Sequence, residues 1–436
     1  MPFAQLQLNP SLVKAVKELG FVRPTTIQSE AIPPALQGRD VIATAQTGSG
    51  KTAAFLLPII NRLIDRPRRA TRALILAPTR ELAAQILDDF NALSIHTPVT
   101  GAAVFGGVGM GPQEHAFRSG VDIIIATPGR LIDHMRSPYA RLNQIEHLVL
   151  DEADRMLDMG FLPEIRRIVS KLPAKRQTLF FSATMPRPIA ILAGEMLHHP
   201  VSIQSERPAP ASTITQAVYP VPQELKSALV VHLLRGKTMT QALIFTRTKH
   251  RANRLADYLV RTGVRAGRIH GNRSQAQRTA ALAGFKNGTF PVLVATDIAA
   301  RGIDVDALGH VVNFDVPQVP DDYIHRVGRT GRAEATGEAF TFVSPEEEGN
   351  LRDIERAIGR RLPRVTVPDF NYTTRPNERL EVPVRQRIAL IRARKREERA
   401  RQALNQARRA AAGRGEPAGP RGFTRHEGTG QRRRRG

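Results

Sequence analysis

The chain has 436 residues, 41% of them hydrophobic, and a net charge of +24; at ~150 residues per domain, two or three domains are expected. Apolar runs no longer than that of Ala53 to Leu57, closed by Pro58, are far too short for a bilayer-spanning helix, and the absence of cysteine excludes disulfides and thiolate zinc sites. The excess positive charge favours a polyanionic partner through counterion release.

The amino-terminal Met1-Pro2-Phe3-Ala4-Gln5 lacks a basic region followed by an apolar core, so no secretory signal is expected and cytoplasmic residence is the default. From Arg39 to about Pro200, short β-rich runs alternate with helix-like stretches. Val41 to Ala45, Ala73 to Ala77, Asp122 to Ala126, His147 to Leu150 and Thr178 to Phe181 read as strands. This alternation predicts a parallel sheet covered by helices, with ligands at the carboxyl ends of the strands. Gln204 to Ser212 is polar, contains prolines, has no periodicity and reads as a linker. The alternation restarts with Ala242 to Thr246, Arg268 to His270, Val292 to Thr296, His310 to Phe314 and Ala339 to Val343, a second α/β domain. The expected layout is a first domain over 1–206, a linker over 207–215, a second domain over 216–368 and a basic tail over 369–436. From Asn371 to Gly436 there are 19 Lys/Arg against 6 Asp/Glu, so the tail holds just over half of the charge excess. Arg385 to Ala412 has the composition of a basic helix, whereas Gly413 to Gly436 is Gly, Pro and Arg and is expected to be disordered.

The first strand runs into Ala45-Gln46-Thr47-Gly48-Ser49-Gly50-Lys51-Thr52 and then an apolar helix. Glycines let backbone N–H groups wrap a phosphate chain, Lys51 reaches the outer phosphates, Thr52 can bind Mg²⁺, and the helix N-terminus adds its dipole. The general pattern begins with Gly, and Ala45 stands in its place. Leu148, Val149 and Leu150 suit a strand buried on both faces, and the run ends in Asp151, Glu152 and Asp154. Repulsion among these carboxylates calls for a cation between them, or else they are an acidic helix start. Beside a phosphate loop, Asp151 would hold Mg²⁺ largely through water and Glu152 would orient and polarise an attacking water. In His325-Arg326-Val327-Gly328-Arg329-Thr330-Gly331-Arg332 three arginines recur at a spacing of three. That spacing fits either a solvated helix face or an arginine finger, and Gly328 and Gly331 favour a structured loop over a long helix. His198-His199 reads as a polar loop, and Met156 with Met159 as core packing.

Taken in order, these motifs closely resemble those of the DEAD-box family of ATP-dependent RNA helicases over about residues 1 to 365. The resemblance implies two tandem RecA-like α/β domains, ATP and Mg²⁺ as cofactors, and RNA as partner, with neither DNA nor a membrane expected. Gly20-Phe21 with Pro24-Thr25-Thr26-Ile27-Gln28 resembles the adenine-reading Q motif, with Phe3 as its isolated upstream aromatic and Thr26 where the family usually has Pro. Nucleotide contacts are thereby implied for Phe21, Gln28, Ala45, Thr47, Gly48, Ser49, Gly50, Lys51, Thr52 and Asp304. Chemistry is implied for Lys51, Asp151, Glu152, Arg329 and Arg332. RNA-backbone contacts are implied for Pro78, Thr79, Arg80, Gly107, Thr127, Gly129 and Arg130 in the first domain. In the second they are implied for Arg247, Gly271, Arg278 and Thr296. Asp154, Ser182, Thr184 and His325 are implied as coupling residues, and Arg326 as structural.

Hydroxyls, Gly amides and scattered arginines suit phosphate and sugar contacts, and with aromatics at 5% and no Trp little base stacking is expected. The implied activity is RNA-stimulated ATP hydrolysis with local unwinding of short duplexes. A DNA translocase sharing the phosphate motifs and an ATP-gated RNA clamp are the alternatives. The short N-terminus and basic tail look like the bacterial RhlE-type subgroup, linked to ribosome assembly and RNA turnover. The tail is expected to strengthen RNA binding without specifying sequence.

Overall fold

The computed structural model describes residues 2–45, 48–204, 214–300, 308–331, 336–373 and 396. Thr47, Asp304 and Arg332, most of the expected linker, and the tail beyond Thr373 apart from Arg396 lie outside the described residues. Residues 1–380 form one compact unit that contains both sheets; in the other unit, 381–436, Arg396 is helical and exposed.

Among the described residues the first sheet comprises β1 (Val41–Thr44), β2 (Ala73–Leu76), β3 (Gly101–Val104), β4 (Ile123–Ala126), β5 (His147–Leu150), β6 (Gln177–Ser182) and β7 (Val201–Gln204), in the order β3-β4-β2-β5-β6-β1-β7. The second comprises β8 (Ile214–Pro220), β9 (Ala242–Phe245), β10 (Ala266–Ile269), β11 (Val292–Ala295), β12 (His310–Asn313) and β13 (Gly337–Val343), in the order β10-β11-β9-β12-β13-β8. Every pairing is parallel. A parallel ladder needs a crossover between neighbours, and the helices that supply it cover both faces.

Alternation of side chains explains why the central strands are apolar throughout. In β5, Val149 joins a cluster with Ile75, Ile125 and Phe181 on one face, while Leu148 and Leu150 join Leu76, Ile124 and Phe180 on the other. The second sheet repeats this, with Ile244, Val294 and Val312 on one face and Leu243, Leu293 and Val311 on the other. Burial of each such side chain contributes roughly 1.5–3 kcal/mol.

All ten predicted strands are present, within a residue or two of their expected ends. Three more are found, β3, β7 and β8, and each is an edge strand. The packed chain also runs beyond Pro368: Phe370 and Tyr372 pack on the second core, their rings 4.9 Å apart, and the Tyr372 hydroxyl accepts from Val367 N at 3.0 Å. Among the described residues no helix is long and apolar enough to cross a membrane. Met156 is core and Met159 half-buried, while His198 and His199 are exposed.

Candidate active site

At the carboxyl end of β1, Ala45 N donates to Ser182 O at 3.0 Å, pinning the loop entrance to the end of β6. Gly48 and Gly50 follow with φ of +86° and +90°, and the helix Lys51–Leu63 starts immediately after Gly50. Only glycine adopts these angles without strain. A Cβ on Gly50 would also lie 2.5 Å from Gln28 Nε2. Buried Lys51 donates through Nζ to Ala45 O at 3.0 Å. An ammonium and unpaired N–H groups at a helix start make a cradle for phosphate, with Ser49 and Thr52 on its rim.

Gln28 is spent on the chain itself: Oε1 accepts from Thr25 N at 3.0 Å and Nε2 donates to Gly50 O at 3.1 Å. It ties the Q motif to the phosphate loop while keeping one lone pair and one N–H for a ligand. The two candidate aromatics divide: Phe3 is 4% exposed and belongs to the core, whereas Phe21, stacked on it at 6.3 Å, is 42% exposed.

Between β5 and the helix Ala153–Asp158 lies the acidic loop. Asp151 N donates to Leu76 O at 3.0 Å, and Glu152 takes a left-handed φ of +52°, a conformation costing a non-glycine residue about 1 kcal/mol or more. Both carboxylates are buried. Burial pushes the Asp151 carboxyl up to about 6, opposed by Lys51 and reinforced by Glu152. Burial opposes ionisation of Glu152 too, but Arg155, Lys51, Arg329 and His325 together hold it down to about 2. Asp151 Oδ1 is buried without a hydrogen-bond partner among the described residues. Asp154 is the opposite case. Its Oδ2 accepts from Ala183 N (3.2 Å), Thr184 N (2.8 Å) and Thr184 Oγ1 (3.0 Å), and its own N donates to Ser182 Oγ at 3.2 Å. Ser182 Oγ donates in turn to Thr184 O at 2.7 Å.

The second half reaches this loop through the helix Pro320–Val327, which ends at Gly328. Burial, then Arg155, lowers His325 to about 3 against the pull of Asp154. Burial and Asp154 raise Asp321. Arg155 of the helix Ala153–Asp158 and Asp322, His325 and Arg326 of the helix Pro320–Val327 line one small space, so the two helices face each other there. Between them lies a cavity of about 10 Å³ lined by Arg155, Phe245, Asp297, His325 and Arg329 among others, room for about one water. Arg155, absent from the sequence-based expectations, is 1% exposed, with Nε 3.3 Å from Glu152 Oε2. Its guanidinium makes no hydrogen bond among the described residues. Its signal in the sequence is a basic residue one helical turn after Glu152. Arg326 grips Asp297 with two bonds (2.5 and 2.8 Å) and donates to Asn313 Oδ1 and Asp315 O, a fixed structural position.

The expected RNA-contacting residues cluster at the strand ends of both sheets. Pro78 and Thr79 are buried after β2, and Thr79 Oγ1 accepts from Leu82 N at 3.2 Å to cap the helix Arg80–Ser94. Arg80 lies against Gly106 and Gly107, where a Cβ on Gly107 (φ +85°) would overlap its guanidinium. Thr127 precedes the helix Pro128–Met135, Gly129 faces open space, and Arg130 Nη2 donates to Val108 O at 3.2 Å. In the second half Arg247 donates to Glu347 Oε1 at 2.9 Å, Gly271 is exposed, and Thr296 N donates to Ile269 O at 3.3 Å. Arg278 is held elsewhere: Nε and Nη2 each reach a Glu81 oxygen at 2.8 Å, and Gln275 Nε2 donates to the same carboxylate at 3.0 Å. Its guanidinium is therefore paired across the halves, with Glu81 as the partner that sequence reasoning did not single out.

The DEAD/DEAH box helicase family matches residues 25–192, and the Helicase conserved C-terminal domain family matches residues 225–334. A DEAD-box ATP-dependent RNA helicase CshA of Bacillus cereus is 41% identical over 379 residues, covering 87% of this chain and 72% of that protein. An ATP-dependent RNA helicase CshA of Listeria monocytogenes is 42% identical over 370 residues, 85% of this chain and 71% of that protein. Among solved structures, S. cerevisiae Dbp5 bound to RNA and ADP BeF3 aligns with TM-score 0.77 and 31% identity, covering 84% of this chain and 96% of that one. Mss116p bound to ssRNA and AMP-PNP aligns with TM-score 0.77 and 28% identity, covering 85% and 80%. These two relatives are CshA helicases, and the narrower RhlE-type placement rests on the short N-terminus and basic tail that suggested it. With both family matches falling on the two sheets whose strand ends carry the phosphate loop, the acidic loop and the arginines, the chain belongs to the DEAD-box family of ATP-dependent RNA helicases.

Proposed function

We propose that hydrolysis is switched on when ATP and RNA draw the two halves together, and that closure bends the bound strand and opens a short duplex locally. The observation carrying this reading is the position of Glu152: its carboxylate belongs to the first sheet, while Arg329, whose charge bears on it, belongs to the second half. A site divided in this way is complete only when the halves meet.

Lys51 and the helix start bind the phosphates, and ionised Glu152 accepts a hydrogen bond from the attacking water and polarises it. Arg329 neutralises charge developing on the transferring phosphoryl group. Gln28 reads adenine with its remaining donor and acceptor, and Phe21 supplies the exposed ring. Thr52 and Asp151 would hold Mg²⁺, largely through water, where it would neutralise phosphate charge. The buried Oδ1 of Asp151, which has no partner among the described residues, with a carboxyl pushed up by burial, fits a cation at that position. Asp154, joined to Ser182 and Thr184, transmits the state of the acidic loop to β6. Arg278 serves the closed arrangement through Glu81 rather than through RNA. Thr47, Asp304 and Arg332 are assigned to ATP on their motifs alone, and the basic tail to general RNA affinity in a cytoplasmic enzyme.

Strand separation of a short RNA duplex, measured beside ATP turnover with RNA and with DNA of the same sequence, tests the reading. ATP-dependent separation and stimulation by RNA alone are expected. Equal stimulation by DNA, or turnover without separation, would contradict it, the latter in favour of an ATP-gated clamp.

A further inference from the structure

The amino ends of β2, β4 and β5 carry a second basic surface, at the opposite edge of the first sheet from the phosphate and acidic loops. Two recesses of about 280 Å³ and about 530 Å³ lie there and share Arg141 and Asn143. Arg69, Arg118 and Arg141 line the smaller together with Phe117 and Tyr139. Arg136, Arg167 and Lys171 line the larger. No carboxylate lines either recess. Arg118 is paired with Glu114 at 2.7 Å and Arg136 with Asp133 at 3.7 Å, both exposed contacts within one helix. Arg69, Arg141, Arg167 and Lys171 have no ion-pair partner among the described residues. Like charges gathered without counter-charge repel, and a polyanion relieves that repulsion.

The backbone provides an independent sign. Arg69 holds a left-handed φ of +68° and packs against Gly120, also at +68°, so closely that a Cβ on Gly120 would overlap the Arg69 backbone. An arginine therefore stands at the mouth of a cationic recess in a conformation that favours glycine, and its side chain adds a cation there that glycine would not.

We propose that this surface is a second RNA-binding groove, which takes the phosphodiester backbone of a flanking segment without reading its sequence. Guanidinium groups interleaved with the Asn143 and Gln144 amides and an aromatic wall suit phosphates with an adjoining sugar or base edge. An acidic polypeptide would use the cations and leave the aromatic recess unfilled. Each intervening strand has four residues, ~13 Å at ~3.3 Å per residue, so the groove is a footprint separate from the ATP-dependent one.

The full chain is compared with Arg69→Gly/Arg141→Ala and with a charge-matched control, Arg187→Ala/Arg352→Ala, both exposed and outside the groove. Glycine at position 69 relieves the backbone, so weaker binding would not stem from a damaged fold. Probes are oligouridines of about ten and about forty nucleotides, spanning one short site or several, and fluorescent polyglutamate. For the groove variant we expect affinity for the long RNA to fall about tenfold and the log–log salt slope to shrink by about 1.4, at ~0.7 per phosphate. The short RNA should bind as before, and the control should match the unaltered chain on both. Unchanged binding of the long RNA, or equal losses on both lengths, would overturn the proposal. Loss confined to polyglutamate would also overturn it, in favour of an acidic protein partner.

Discussion

The two sheets share one architecture and use their strand ends for opposite chemistry. The first ends in a phosphate loop and three carboxylates, the second in Arg247, Thr296 and the segment from His325 to Thr330. Their buried charges are also handled differently. In the second half Lys226 is enclosed by Phe314 O and Phe342 O, each at 2.9 Å, and by Glu347, so the charge is matched locally. In the first half Asp151 keeps an oxygen without a partner among the described residues, and Glu152 relies partly on the charge of Arg329 from across the cleft. A locally matched charge supports a fold, whereas one completed from elsewhere makes chemistry conditional on assembly.

The largest expected effect breaks this contrast at its centre. Glu152→Gln should leave ATP binding intact and lower RNA-stimulated turnover about 10³-fold, because the proposed general base is gone; steady-state kinetics would show it. Next comes a pH test confined to the first half. Burial lowers His147 to about 4 from its ordinary 6.5. The unfolded chain therefore binds the proton more readily between those values, and stability falls as pH drops from about 6.5 to about 4, by about 3 kcal/mol in full. His147→Asn, which can still donate to Gln177, should flatten that part of the denaturation profile while the second half responds equally in both proteins. The smallest effect concerns the seam. A double-mutant cycle of Glu81→Gln and Arg278→Gln, read as RNA affinity with a non-hydrolysable ATP analogue, should give a coupling of about 1 to 3 kcal/mol. Additive losses would mean that the pair does not hold the halves together.

The central strands were legible in the sequence because burial on both faces leaves an unbroken apolar run, as in Leu148 to Leu150. Edge strands meet a weaker demand. Gly101-Ala102-Ala103-Val104 is partly exposed, and Val201-Ser202-Ile203-Gln204 alternates with polar residues, so neither resembles its inner neighbours. β8 starts at Ile214, inside the stretch expected as linker. The site was legible where a motif supplies backbone chemistry, as in Gly48 to Thr52, and where one strand end concentrates like charge. Pairings between distant segments were not. Nothing local tells that Glu81 meets Arg278, or that Arg155 folds beneath His325. Phe3 and Phe21 could be ranked only by which ring the core had already taken.

ATP turnover by Arg329→Ala, measured without RNA and with saturating RNA beside nucleotide affinity, tests the divided site most directly. If the second half completes the chemistry, nucleotide binding should persist while RNA stimulation falls about 10³-fold, the scale of an arginine finger. Stimulation equal to that of the unaltered chain would contradict it.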